Sequence, residues 1–328
     1  GGEYNVAVGN FSLDALTSSD MNTAVGYQAG SAVTTGDGNT LFGYQAGLAV
    51  TGAGAYNVCL GTQAGLAITT GIRNTMVGQA GYQFDTENDN LAIGHAALGG
   101  VVAGGEFNVA VGNYALDAVT SGDINTSVGN KAGSGVTTGS GNILFGHQAG
   151  DYSTALTTGN YNICLGSYTR TSTNSTSNAI VIGTDIATVA NRVAIGKSGA
   201  LIYADFASSA TWTQSSDKRL KDSIEATNIG LDFVNELRPV TYKWKDTTTI
   251  PEELTKQKTE VNAKDTETLQ YGLIAQEVKS AMDKVGHDKF TGWDLDEDDT
   301  QCLREGQFIY PLIKAVQELS ATVTTLQQ

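Results

Sequence analysis

Ser216 lies five residues before Lys221 in the run Ser215-Ser216-Asp217-Lys218-Arg219-Leu220-Lys221-Asp222. A serine hydroxyl is a poor nucleophile until a base accepts its proton, and lysine can be that base when burial or neighbouring positive charge depresses its pKa. Lys218 and Arg219 could supply that charge. The chemistry such a pair could perform is cleavage of the chain's own backbone. Taken alone, the run also reads as the solvated start of a helix.

The elements that would position this pair differ sharply on its two sides. Only five of the 40 glycines follow Ser215, whereas all 3 prolines do. The net charge of −15 is shared almost evenly between the halves, so neither carries the basic surface that phosphate neutralisation requires. Nucleic acid is therefore not an expected partner. No run approaches the roughly 18 to 20 apolar residues of a membrane helix, so membrane insertion is not expected either. No basic-then-apolar signal segment precedes the repeats, and Gly1 suggests that the true N-terminus lies elsewhere. Cys59, Cys164 and Cys302 are too few and too scattered for a disulfide framework, and the first two sit in equivalent apolar settings, NVCLG and NICLG. They read as buried small hydrophobes.

Upstream of the seam, Asn-x-x-x-Gly recurs at Asn5, Asn22, Asn39, Asn57, Asn74, Asn90, Asn108, Asn125, Asn142 and Asn162. A period near 17 residues is a solenoid signature. A block starting at Gly1, GGEYNVAVGNFSLDALTSSDMNTAVG, reappears from Gly104 as GGEFNVAVGNYALDAVTSGDINTSVG, so six coils were duplicated together. The residue before each repeat glycine is always bulky and apolar, as at Val8, Phe42, Leu60 and Phe145, and this column is expected to be buried. The position between it and the other outer residue holds Ala7, Ala24, Leu41, Cys59 and Met76. With both faces largely apolar, each strand fits a parallel stack, one face lining the coil and the other lying against another coil or chain. The glycines are expected to turn with positive φ and the asparagines to stack as a ladder. Past Asn162 the spacing shortens through NAIVIG and NRVAIG into a tapering stem. Such thin coils leave edges for oligomerisation to cover. The pattern resembles the head repeats of YadA-like trimeric autotransporter adhesins, and glycine-rich repeats in phage tail fibres; left-handed β-rolls assembled as trimers are what that resemblance implies.

Downstream, Asn228 is expected to cap a helix through Phe233, Val234 and Leu237 that Pro239 stops. Ile274, Val278, Met282 and Val285 predict a second amphipathic helix ended by Gly286. Ile309, Leu312, Val316, Leu319, Val323 and Leu326 alternate three and four apart, as in a coiled-coil seam. In order, SDKRLKDSI, LRPVTYKW, YGLIAQEV and YPLIKAVQEL resemble the endosialidase-type intramolecular chaperone, a C-terminal domain of phage tailspikes and fibres. That resemblance implies a homotrimer, a role in folding the upstream β-structure in register, and self-release by cleavage of the Ser215–Ser216 bond. It assigns Ser216 as nucleophile and Lys221 as base, with Asp217 either orienting the turn or pairing with Arg219.

Weaker signals carry less. Asp294, Asp296, Asp298, Thr300 and Glu305 fall at calcium-loop positions, but Asp299 stands where the tight turn needs glycine, so an exposed acidic loop is expected. His95 and His147 lack ligand-spaced partners and read as polar residues at coil edges. Asp85, Glu87 and Asp89 read as an exposed turn, and neither metal nor cofactor is expected.

The expected architecture is a β-solenoid of parallel β-roll or β-helix repeats, trimeric, over residues 1–197; a stem over 198–215; and a mainly α chaperone and autoprocessing domain with a coiled-coil end over 216–328. The expected function is that of a viral tail fibre or adhesin in the virion, assembled in the bacterial host cytoplasm. Its expected partners are a host cell-surface glycan or protein receptor and other tail proteins. A polysaccharide-degrading tailspike is the alternative from the enzyme class, and a cellular trimeric adhesin is a third reading.

Overall fold

A computed structural model describes residues 1–328 except 84, 102, 103, 208, 214, 215, 253, 255–257, 259, 262, 263, 297, 298 and 328, and gives only the backbone of 209–213. The chain divides into two compact units, Gly1–Ser216 and Asp217–Gln328.

In the first unit each repeat asparagine opens a three-residue strand, from Val6–Val8 and Thr23–Val25 onward to Ile163–Leu165. The strands pair in parallel with identical repeat positions in register, Ala7 on Ala24, Ala24 on Leu41 and Leu41 on Cys59. The result is a β-solenoid of about 11 turns. The shortened coils after Asn162 continue the stack with longer strands, Ile180–Thr184 and Arg192–Lys197. Parallel stacking then ends, because Ala200–Asp205 returns antiparallel along Arg192–Lys197 and Ser209–Thr213 returns antiparallel along Ala200–Asp205.

Which strand face is buried corrects the sequence expectation. The middle residues, among them Ala24, Leu41, Cys59, Met76, Ala92 and Leu144, are fully buried. They share the coil interior with Ala29, Val33, Ala46, Val50, Ala64 and Ile68. The bulky residue before each glycine instead points outward: Val8, Phe42 and Phe145 are 56%, 57% and 55% exposed. The reason is the two-residue pleat. Alternate residues of a strand face opposite ways, so the middle residue enters the coil interior beside Ala29, Val33 and their counterparts while both flanking residues turn out.

Gly26 shows why the residue after each strand is glycine. Its φ is +138°, and a β-carbon there would stand 2.3 Å from the Gly43 carbonyl oxygen of the next coil. The column can stack only without side chains. The asparagine column forms the expected ladder. Asn39 Oδ1 accepts from the Asn57 backbone amide at 3.0 Å, Asn57 Oδ1 accepts from Asn74 at 3.0 Å, and Asn57 Nδ2 donates to the Gly71 carbonyl at 2.8 Å. Each side chain thus satisfies backbone groups that the coil's corner would leave buried and unpaired.

The second unit is built on helices α1 (Leu231–Glu236), α2 (Ala275–Val285) and α3 (Ile309–Leu326) with two short antiparallel ribbons. The ribbons pair Val240–Tyr242 with Gln270–Gly272, and Trp293–Leu295 with Gln301–Leu303. Phe233 of α1 is fully buried against Phe290 and Phe308, ring centroids 5.2 and 6.4 Å away, with Val278 and Met282 of α2 in the same cluster. α2 ends as expected at Gly286, whose φ of 74° is left-handed. The start of α1 differs from expectation: Gly230, not Asn228, is the N-cap. No helix among the described residues is long and apolar enough to cross a membrane.

Candidate processing site

Asp217 opens the second unit with extended backbone and caps a single 3-10 turn, Lys218–Leu220. Its carboxylate accepts the Arg219 amide at 2.9 Å and holds the Arg219 guanidinium through Nε and Nη2, the latter at 2.6 Å. The turn closes with Leu220 N–H on the Asp217 carbonyl and Lys221 N–H on the Lys218 carbonyl. Both roles open to Asp217 in the sequence are therefore filled at once: it orients the turn and it pairs with Arg219. The Arg219 side chain holds the Asp217 carboxyl below its ordinary range, and the carboxylate raises the guanidinium in return.

This geometry changes the electrostatics anticipated for Lys221. Arg219 faces its own carboxylate, so of the two cations placed near the lysine only Lys218 adds net positive charge. Lys221 is exposed, as is Ser216, so the chain by itself buries neither. Ser216 closes the first unit whereas Lys221 belongs to the second. Ser215, whose carbonyl the reaction would attack, lies outside the described residues.

No local sequence pattern signals the contact that anchors the segment following the turn. Glu318 of α3 accepts the Leu231 amide at 2.8 Å and is paired with Lys314 one turn earlier. It fills the space a β-carbon at Gly230 would occupy, 2.4 Å from Oε2. A carboxylate 87 residues away thus does the capping work expected of Asn228. A glutamate mid-helix is normally a solvated side chain, and local sequence holds no cue to this role.

The remaining candidates resolve separately. Asp294 lies on a strand and pairs with Arg304, while Asp298 falls outside the described residues; no metal-holding cluster occurs among the described ones. Glu87, expected in an exposed turn, is 2% exposed. Its carboxylate accepts the amides of Asp85, Thr86 and Gly104, which organises the irregular coil at the junction of the duplicated blocks. His95 and His147 are exposed at coil edges and pack edge-on against Tyr114 and Tyr168. Cys59 and Cys164 are buried, which pushes each thiol up to about 12 and makes it unreactive.

Residues 216–287 match the family model described as chaperone of endosialidase, and the match begins on Ser216. No curated protein and no solved structure matches the chain. The fold is a β-solenoid followed by a region that ends in a long helix, and residues 216–287 of that region are what resembles the chaperone family.

Proposed function

We propose that the chain is part of a homotrimeric viral tail fibre or adhesin. The solenoid presents repeated surfaces to a host receptor, a surface glycan or a protein. The region from Ser216 is an intramolecular chaperone that aligns three solenoids and then releases itself. The observation that carries this reading is the outer strand face. Its two columns, Val6 to Ile163 and Val8 to Leu165, hold only apolar residues and threonine through ten coils, and a single chain leaves them half-buried to exposed. Soluble monomers rarely expose a continuous apolar strip of that length. Three copies packed face inward would bury it, and the family match provides the agent that would set their register.

In the proposed release, Ser216 Oγ attacks the carbonyl carbon of residue 215. Lys221 takes the hydroxyl proton and passes it to the Ser216 nitrogen as the amide bond breaks. The resulting ester joins residue 215 to Ser216 Oγ, and water opens it to a carboxylate and a free hydroxyl. Intact mass after expression tests this. The wild type is expected as two fragments divided between Ser215 and Ser216, and Ser216→Ala and Lys221→Ala as one full-length chain. Full-length mass in all three would remove the cleavage and leave the folding role standing.

A further inference from the structure

We propose that the residue ahead of each ladder asparagine forms a third column of the contact between copies of this chain, in which Phe42 and Phe145 of one copy seat on the Tyr56 and Tyr161 rings of the next. The inference rests on the homotrimer proposed above and says which side chains hold its copies level.

The column runs from Tyr4 through Met21, Gly38 and Tyr56 to Tyr161, one residue per coil. Its eight non-glycine members all have φ between 56° and 61°. That left-handed region suits glycine or asparagine, and a β-branched residue such as Ile124 is a true outlier there. Six of the eight are nevertheless large and apolar, Tyr4, Met21, Tyr56, Phe107, Ile124 and Tyr161, and they are 54–80% exposed. A single chain therefore carries the conformational cost without recovering it through burial. The other two, Arg73 and Asp89, pair with each other.

Two observations point to another copy as the cover. The first is continuity: the column stands two residues before the Val6-to-Ile163 column and four before the Val8-to-Leu165 column, so it borders the apolar strand face. The second is a match of size. The Val8-to-Leu165 column holds phenylalanine only at Phe42 and Phe145, and the new column holds glycine only at Gly38 and Gly141, on the same two coils. Tyr56 and Tyr161 of the following coils lie over those glycines, since a β-carbon there would stand 2.7 Å and 2.6 Å from their Cδ1 atoms. Both rings stay exposed. Around a three-fold axis along the stack, the end of one strand face meets the start of the next at the same height. That brings Phe42 onto the Tyr56 ring and Phe145 onto the Tyr161 ring, an aromatic pairing in each block.

The duplication has kept this set. Gly38, Phe42 and Tyr56 recur as Gly141, Phe145 and Tyr161, whereas Tyr27 and Tyr44, just past the repeat glycine, become Asn130 and His147. A copy slipped by one coil would bring Phe42 to the position of Met21 or Tyr56, where a side chain stands in place of glycine. A slip of six coils would satisfy the contact again, and that choice is left to the C-terminal unit.

The test uses two full-length chains with different N-terminal tags, co-expressed in a Cys302→Ser background. One carries Phe42→Cys and the other Tyr56→Cys; a second pair carries Phe145→Cys and Tyr161→Cys. A third pair, Phe42→Cys with Tyr161→Cys, spans six coils, about 29 Å along the stack. Purification through both tags is followed by treatment with a short bismaleimide. The expected result is a covalent product joining differently tagged copies in the first two pairs and none in the third. Trimers by sedimentation velocity with no product in either of the first two pairs overturn the contact and leave the trimer intact. Product from the third pair in place of the first two overturns the level register. Monomers by sedimentation overturn both the contact and the trimer.

Discussion

Asn57 shows how much depends on one side chain in a thin coil. It accepts from Asn74 above, donates to Gly71, and is fully buried. Asn57→Ala leaves an amide and a carbonyl buried without partners, at about 1–3 kcal/mol for each group so orphaned. We expect a clear drop in the urea midpoint of the solenoid, while a substitution at exposed Thr62 leaves it within error; equal midpoints would mean that the ladder is not what holds the corners. This column was legible in the sequence because a polar residue recurring at a fixed distance from a turn glycine has few structural uses. The buried role of Glu87 was not legible, since three acids within five residues ordinarily mark a solvated turn, and only the junction coil's spare amides draw one of them inside. Ser216 and Lys221 are proposed as a pair from motif order alone. What the pair lacks in a single chain, burial and a second unneutralised cation, appears only when the Asp217–Arg219 contact is seen.

At the scale of elements, periodicity located the strands and the three helices but not every face or end. The pleat told which residues share a side; that Leu41 goes in and Phe42 out follows from how the chain closes each coil, which no local pattern encodes. Similarly, α1 begins where tertiary structure supplies a cap. The contact of Glu318 with the Leu231 amide ties α3 to the chain that follows the Lys218–Leu220 turn. Glu318→Ala removes the acceptor and is expected to destabilise the second unit by about 0.5–2 kcal/mol, the usual worth of a lost cap. Glu318→Gln, which keeps an acceptor oxygen, should retain most of it. Denaturant unfolding followed through tryptophan emission distinguishes the two, since Trp244 and Trp293 both lie in this unit. Equal stability of wild type and Glu318→Ala would reduce the contact to a surface ion pair with Lys314.

For the whole molecule, the central physical problem is that a long parallel stack with few local contacts must find one register, and it does so while an apolar face stays uncovered. Pairing any strand one coil out of step costs little locally, because Val25, Val77 and Val111 present nearly the same surface to a neighbour. The six-coil duplication adds a second near-degenerate register. A C-terminal unit that associates first, through the exposed row of α3, would hold three chains level before their solenoids zip, turning a slow intermolecular search into an effectively intramolecular one. Chains ending at residue 215 should therefore be insoluble or monomeric on refolding, and the full chain trimeric by sedimentation equilibrium. Adding the region from Ser216 as a separate polypeptide should not rescue the truncated chains, because alignment requires the covalent link during folding. Soluble trimers of native stability from the truncated chain alone would show that the solenoid sets its own register, and would leave the C-terminal region without its proposed task.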